Sequence, residues 1–412
     1  MIVFVNYGTP QNRNIETAHR RIAHMVSSSY SWLPAHHLPV AATLAHADEL
    51  IEQVGDLLIE YQAHNDDVFK LKEVRKGLVS QTIVESIAPL PRKVPLLTAD
   101  ALVTLRAAVE HTLFAEAEFL NGNPLSFKEA RTVEMPARLK YDEFADWAKN
   151  RLRNAPASLK SGTELFRRVS GLQPFHRLDR PDLHPMARLA SHTNQAKHRT
   201  PSVAAIRMVS IVREDKTLRS VRDLPLLPEQ PLQVGQILAE TPLGVRVPVA
   251  LFPSVGINRP GTDEWPILMR ELAEIAEWVR TQAIPRLITG GEPPQPELPA
   301  RYDISVGYPD ERRAISLGVT TTAAERNKER WKAASTRTEL VGLLQEMPNA
   351  PGGEQIAAWL KHLSDTEVLE RISGVRPSQG RDKEALLASY AALESLRDEA
   401  VTFSKRDLGD AS

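Results

Sequence analysis

A histidine follows an arginine by five positions in Arg106-Ala107-Ala108-Val109-Glu110-His111. Together the two side chains have the means to cut RNA without a metal. Histidine titrates near neutrality and can take the proton from a ribose 2′-hydroxyl. Arginine stays charged and grips a phosphate through two parallel N–H donors. The spacing alone carries no weight. The chain has 36 arginines and 12 histidines in 412 residues, and with four to six residues allowed between the two, three pairs match: Arg13 with His19, Arg106 with His111, and Arg177 with His184. About three are expected by chance over the same offsets. Only Arg106 and His111 sit in a long, otherwise apolar helical pattern, where polar groups are costly and need a reason. On a regular helix, residues five apart point about 140° away from each other. Residues four apart share a face, so Glu110 is placed to neutralise Arg106 as a simple ion pair.

A second polar set lies in His184-Pro185-Met186-Ala187-Arg188-Leu189-Ala190-Ser191-His192-Thr193-Asn194-Gln195-Ala196-Lys197-His198-Arg199. At helical spacing Leu189, Thr193 and Ala196 form an inward stripe. Asn194, Lys197 and His198 fan out on one side of it, and Arg188, His192 and Arg199 on the other. Two polar flanks make an exposed surface, unless one of them turns to the Arg106 helix and builds a polar site with it.

Other chemistries are poorly served. The chain has no cysteine, which removes thiol nucleophiles, disulfides, iron–sulfur clusters and zinc ribbons. His-Glu-x-x-His, Gly-x-x-x-x-Gly-Lys, Gly-x-Gly-x-x-Gly and Gly-x-Ser-x-Gly are all missing. The adjacent His36 and His37, and the pair His19 and His24, read as surface or capping histidines. Neither a metal nor a cofactor is expected. With 51 basic and 52 acidic residues the net charge is -1, so any nucleic-acid contact must be small and local. No apolar run approaches the roughly 18 residues of a membrane span. The N-terminus has no signal-peptide core. A cytoplasmic protein without membrane contact is the expectation.

The elements that must position these residues are mostly helical. Helices are expected over 14–30 and 42–64, then a hairpin of two β-like runs, 68–74 and 78–88, about Arg75-Lys76-Gly77. Thr98 is the expected cap of the apolar helix, with Asp100 in its first turn. Asn121-Gly122-Asn123-Pro124 ends it. Arg106, Glu110, His111, Glu116 and Glu118 are conspicuous on it. Shorter helices fit 142–152, 164–170 and 185–198. Residues 203–252 hold three β-like runs. A helix over 266–282, with Asp263 as its cap, and a Gly/Pro-rich linker at 290–296 follow. Beyond it come a strand candidate, 302–306, and helices near 322–334, 337–346, 353–363, 365–373 and 381–402. The division is a helical domain over 1–290 with a β insertion near 203–252, and a mostly helical C-terminal module over 301–412.

The order of these parts resembles a family of HEPN-like bacterial proteins. Thr98–His111 is similar to its "GDALHNLRSALDH"-like helix, Gln173-Pro174-Phe175 to its "QPY" turn, and His184–Arg199 to its "HPLWLLHELSNIDKHR"-like helix. The resemblance covers roughly 40–285. It implies a mainly α HEPN-like bundle carrying a β-hairpin and a small β insertion. It also implies a homodimeric, metal-independent endoribonuclease, acting in defence or stress response. In that reading His111 is the general base and Arg106 binds the phosphate, leaving a 2′,3′-cyclic product. Asn194, Lys197, His198 and Arg199 contact the RNA, while Glu110 and Asp100 orient or pair. The chain departs from the pattern at Val103-Thr104, where the family has His-Asn, and at Ala196, where it has Asp. Those departures favour an alternative, a non-catalytic helical protein that binds RNA, a nucleotide or a protein partner. A third candidate surface is Arg326-Asn327-Lys328-Glu329-Arg330-Trp331 in the C-terminal module, which would meet nucleic acid or else form a solvated helix face; the module as a whole is the place for a protein partner.

Overall fold

The computed structural model describes residues 30–64, 68–213, 226–245, 247, 249–375 and 383–409. The helix expected over 14–30, all but Tyr30, and the pair Arg13 and His19 lie outside them, as does His24. The described chain is mainly helical with two small antiparallel sheets. It divides into two compact units, the first ending at Ala324 and the second beginning at Glu325. No described helix is long and apolar enough to cross a membrane.

The first unit is built on two long helices, α1 (Leu38–His64) and α2 (Lys93–Asn121), packed along each other. Leu97, Ala101, Leu105, Ala108, Thr112 and Ala117 of α2 are buried, as are Leu102, Val109 and Leu113. A helix buried over this much of its circumference must be central, as its apolar pattern required. Its start differs from expectation. The helix begins five residues before Thr98, whose buried hydroxyl donates back to the Val94 carbonyl at 2.8 Å instead of capping. Pro95 is harmless there because first-turn amides have no helical acceptor. The end falls at Gly122, whose left-handed backbone (φ 72°) turns its amide onto the carbonyls of Glu118 and Phe119.

Short helices α3 (Phe127–Ala130), α4 (Tyr141–Arg151) and α5 (Glu164–Gly171) lead to α6 (Pro185–His198). His184 caps α6 by accepting the Met186 amide at its Nδ1, 3.1 Å away. The first sheet joins hairpin strands β1 (Phe69–Lys76) and β2 (Val79–Ile87) to β4 (Ile237–Pro242), in the order β1-β2-β4. The second pairs β3 (Ala204–Arg213) with β5 (Val249–Ile257). The β insertion therefore supplies the third strand of the hairpin's sheet.

Helix α7 (Leu268–Trp278) starts after Ile267, and Asp263 stays in the preceding loop rather than capping it. A π turn, Val279–Ala283, continues the rod into α8 (Ile284–Thr289). The wider turn accommodates Pro285, which lacks an amide hydrogen, so the rod outlasts the expected end at 282.

Residues 301–324, grouped with the C-terminal module on composition, close back on α1. Tyr30 Oη donates to the Glu297 carbonyl (3.1 Å), Arg301 pairs with Glu52, Arg312 donates to the Tyr30 carbonyl, and the Ala323 amide donates to Asp48 Oδ1 (2.7 Å). The strand expected over 302–306 is reduced to an isolated bridge between Arg301 and Val319. A short helix, α9 (Glu311–Ser316), lies between these contacts.

The second unit takes most of α10 (Ala323–Gln345), then α11 (Gly353–His362), α12 (Asp365–Ile372) and α13 (Lys383–Gly409). The two helices expected over 322–346 are one. Leu340, Leu344, Ile356, Trp359, Leu360, Leu396 and Ala400 form its core. The Ser364–Glu367 capping box is present. Arg337 ties the α11–α12 corner by donating to the carbonyls of Leu360 and Leu363 and to Asp365.

Candidate functional site

Arg106 turns inward from α2. Its Nε donates to Glu110 Oε1 (2.8 Å) and one Nη donates to the Met135 carbonyl. Glu110 Oε2 accepts the Met135 amide at 2.7 Å. The pair thus clamps both polar groups of one residue's backbone. The neighbouring stretch is held in the same way by Gln173, which is fully buried. Its Oε1 accepts the Arg138 amide (3.1 Å) and its Nε2 donates to the Pro136 carbonyl (3.0 Å). Two segments that carry the family resemblance therefore converge on residues 135–138 and fasten them.

His111 is exposed, and no hydrogen bond joins it to Arg106 among the described residues. The helical phase separates them as the five-residue spacing requires. Asp100 is exposed as well. Arg106 does reach α6, with Nη1 3.9 Å from Met186 Sδ. That contact is at the wrong end for the basic cluster. At 1.5 Å per residue, Asn194 lies about 12 Å further along α6 and His198 about 18 Å. Asn194 and Lys197 to Arg199 stand at the far, solvent-facing end of α6, without side-chain partners among the described residues.

Of the other flank, Arg188 and His192 are buried while Arg199 is exposed. Arg188 Nη1 donates to Glu271 Oε2 (2.7 Å) and Glu274 Oε2 (2.8 Å). Arg259 donates to both Glu271 oxygens and to Glu264. His192 Nε2 lies 3.5 Å from Glu271 Oε1, and its Nδ1 is 2.9 Å from Ser202 Oγ. Glu271 is only 1% exposed. Burial, the largest influence, pushes its carboxyl pKa up. His192, Arg259 and Arg188 outweigh that and hold it well below the usual carboxylate range. Both arginines have carboxylate partners, so the group braces α6, α7 and the loop after β5.

A further cluster joins distant segments. A 3-10 turn, Ala35–His37, precedes α1. His37, 1% exposed, places Nε2 2.8 Å from Glu116 Oε2 on α2. His36 Nε2 is 3.6 Å from the same oxygen, and its ring stacks on Phe119 (centroids 4.3 Å apart, 17° between planes). Arg168 of α5 donates Nη1 to Glu116 Oε1 (2.9 Å) and to the carbonyls of Leu287 and Ile288 (3.0 and 2.8 Å). Burial works to raise the Glu116 pKa, but His37, Arg168 and His36 together bring it below its ordinary value. The His36 imidazole is held below the ordinary histidine value, first by burial and then by His37. The nitrogens of the two histidines and a Glu116 oxygen all lie within 4.8 Å of one another, a donor set able to hold a metal ion. Sequence reasoning read both as surface or capping histidines, whereas His37 is buried on Glu116. The available signal was Glu116, an acid on a buried helix with no i±4 cation to explain it.

The run Arg326–Trp331 does not form one solvated face. Asn327 is buried, and Arg330 and Trp331 are less exposed than their neighbours Lys328 and Glu329 would suggest.

No protein-family model, no curated protein and no solved structure matches the chain.

Proposed function

We propose that the chain is a HEPN-like helical protein that binds RNA without cutting it. The observation that carries the reading is the state of Arg106. Its guanidinium is spent on Glu110 and Met135, while His111 stands in solvent on another side of α2. A phosphate grip and a general base that share no cleft cannot serve one scissile bond. What supports RNA binding is the end of α6, where Asn194, Lys197, His198 and Arg199 face solvent with no acidic partner among the described residues. Phosphate contacts of this kind give salt-dependent affinity with little sequence preference. The long α1–α2 pair with α6 to α8 packed on α2 supports the HEPN-like reading of the bundle. A homodimer, a cytoplasmic location and a protein partner on the C-terminal module complete the proposal.

Fluorescence anisotropy with a labelled single-stranded RNA, at graded salt, tests it. Wild type is expected to bind. Lys197→Ala/Arg199→Ala should weaken binding and flatten the log–log salt slope by about 1.4, at roughly 0.7 for each phosphate no longer neutralised. Incubation of the same RNA in EDTA should leave it intact. Cleavage by wild type that His111→Ala abolishes would restore the endoribonuclease reading and overturn this one.

A further inference from the structure

We propose that His36, His37 and Glu116 form a binding site for one divalent transition-metal ion. The donors are two imidazoles and one carboxylate, a set that suits zinc and other late first-row ions and leaves a coordination position open. Donors about 2.1 Å from a tetrahedral ion lie roughly 3.4 Å apart. The His37–Glu116 and His36–Glu116 separations of 2.8 and 3.6 Å bracket that spacing.

The surroundings orient the ligands before any ion arrives. Arg168 fixes the second oxygen of Glu116 and is itself anchored on the last carbonyls of α8. Phe119 fixes the plane of His36. Such outer contacts decide the affinity of a metal site as much as the ligand count does. His36 Nε2 is buried and has no hydrogen-bond partner, a condition that needs an explanation. A bound cation supplies one. The His36 ring is 27% exposed although its Nε2 is buried, and His37 and Glu116 are buried, so the three donors converge in the interior beside the surface. A plain His37–Glu116 ion pair uses His37 Nε2 and leaves both His36 Nε2 and His37 Nδ1 buried without a hydrogen bond.

The test is isothermal titration of chelator-treated full-length protein with Zn²⁺, alongside thermal unfolding with and without the ion. One equivalent per chain and a raised unfolding temperature are expected. His36→Ala, a change at a partly exposed ring, should remove saturable binding while the chain stays folded. Glu116→Gln should do the same, and Arg168→Lys should weaken binding about 10- to 100-fold as an outer contact. His111→Ala, at an exposed histidine elsewhere, should bind as wild type. The proposal is overturned if wild type shows no saturable binding, or if His36→Ala binds as tightly as wild type. The proposal stands independently of RNA binding, which the anisotropy experiment reads separately.

Discussion

Replacing Arg106 by alanine separates a structural clamp from a catalytic group. The side chain is 14% exposed and its Glu110 partner 28%. The substitution strips Glu110 of its counter-charge and leaves the Met135 carbonyl without its donor. Hydrogen bonds to charged groups contribute about 1.5–3 kcal/mol each, and a half-buried carboxylate left unpaired adds a penalty of similar kind, so a loss of about 3 kcal/mol is expected. Calorimetry reads it, because unfolding enthalpy scales with chain length and the first unit, the longer of the two, is expected to give the larger endotherm. At about 2 °C per kcal/mol for a unit of this size, that endotherm should fall by about 6 °C. His111→Ala, at an exposed position, should move it by less than about 1 °C. In a double-mutant cycle, Arg106→Ala and Glu110→Ala should show a coupling of at least about 1 kcal/mol. A shift below about 1 °C for Arg106→Ala, or equal shifts at 106 and 111, would refute the clamp.

Three more outcomes follow from the same contacts. Glu271→Gln leaves Arg188 and Arg259 buried without their shared counter-charge and should cost about 3–5 kcal/mol in urea unfolding; a change under about 1 kcal/mol would mean that the brace is dispensable. His184 has its pKa lowered to about 4, by burial first and then by Arg177, Arg188 and His176. Its folded-state value is depressed, so the neutral form and its cap on α6 are fully favoured above about pH 6.5 and stability drains as pH falls from there to about 4. After allowance for partial solvent access the loss is about 2 kcal/mol, and His184→Asn, which keeps a cap, should flatten that part of the pH–stability curve. Gly290→Ala places a Cβ 2.7 Å from Arg168 Nε and 2.8 Å from Glu164 Oε1 at φ 78°; the backbone strain of about 1–2 kcal/mol plus displacement of Arg168 should lower the calorimetric transition by several degrees, whereas an unchanged transition would show that Arg168 gives way freely.

What the sequence revealed depended on the range of the interaction. The apolar repeat of α2 and the stop at Gly122 were legible because both are written within a few turns of helix. The Arg106–Glu110 pair was legible for the same reason. The start of α2 was misread because Thr98 has a good capping side chain, and only the tolerance of Pro95 in the first turn lets the helix begin earlier. The pairing of β2 with β4 joins strands about 160 positions apart, for example Gln81 with Glu240, and no local periodicity encodes that. The same holds for Glu116, whose partners lie 79 positions before it and 52 after it. The flank of Asn194, Lys197 and His198 was legible from helical spacing. Its distance from Arg106 followed only once the crossing of α2 and α6 at Met186 was known.

The closure of α1 by residues 297–323 sets an order of assembly. Tyr30 waits for partners 267 and 282 positions later in the chain, and Asp48 for one 275 positions later. At 5–20 residues per second on the ribosome, that wait lasts roughly 15–50 s. During it, α1 and α2 can already lie together, yet the flank of α1 that carries Asp48 and Glu52 stays uncovered. Contacts of such long sequence separation form late and slowly. The last synthesised stretch of the first unit therefore works as a latch, and translation arrested before Arg301 should yield a chain that chaperones retain.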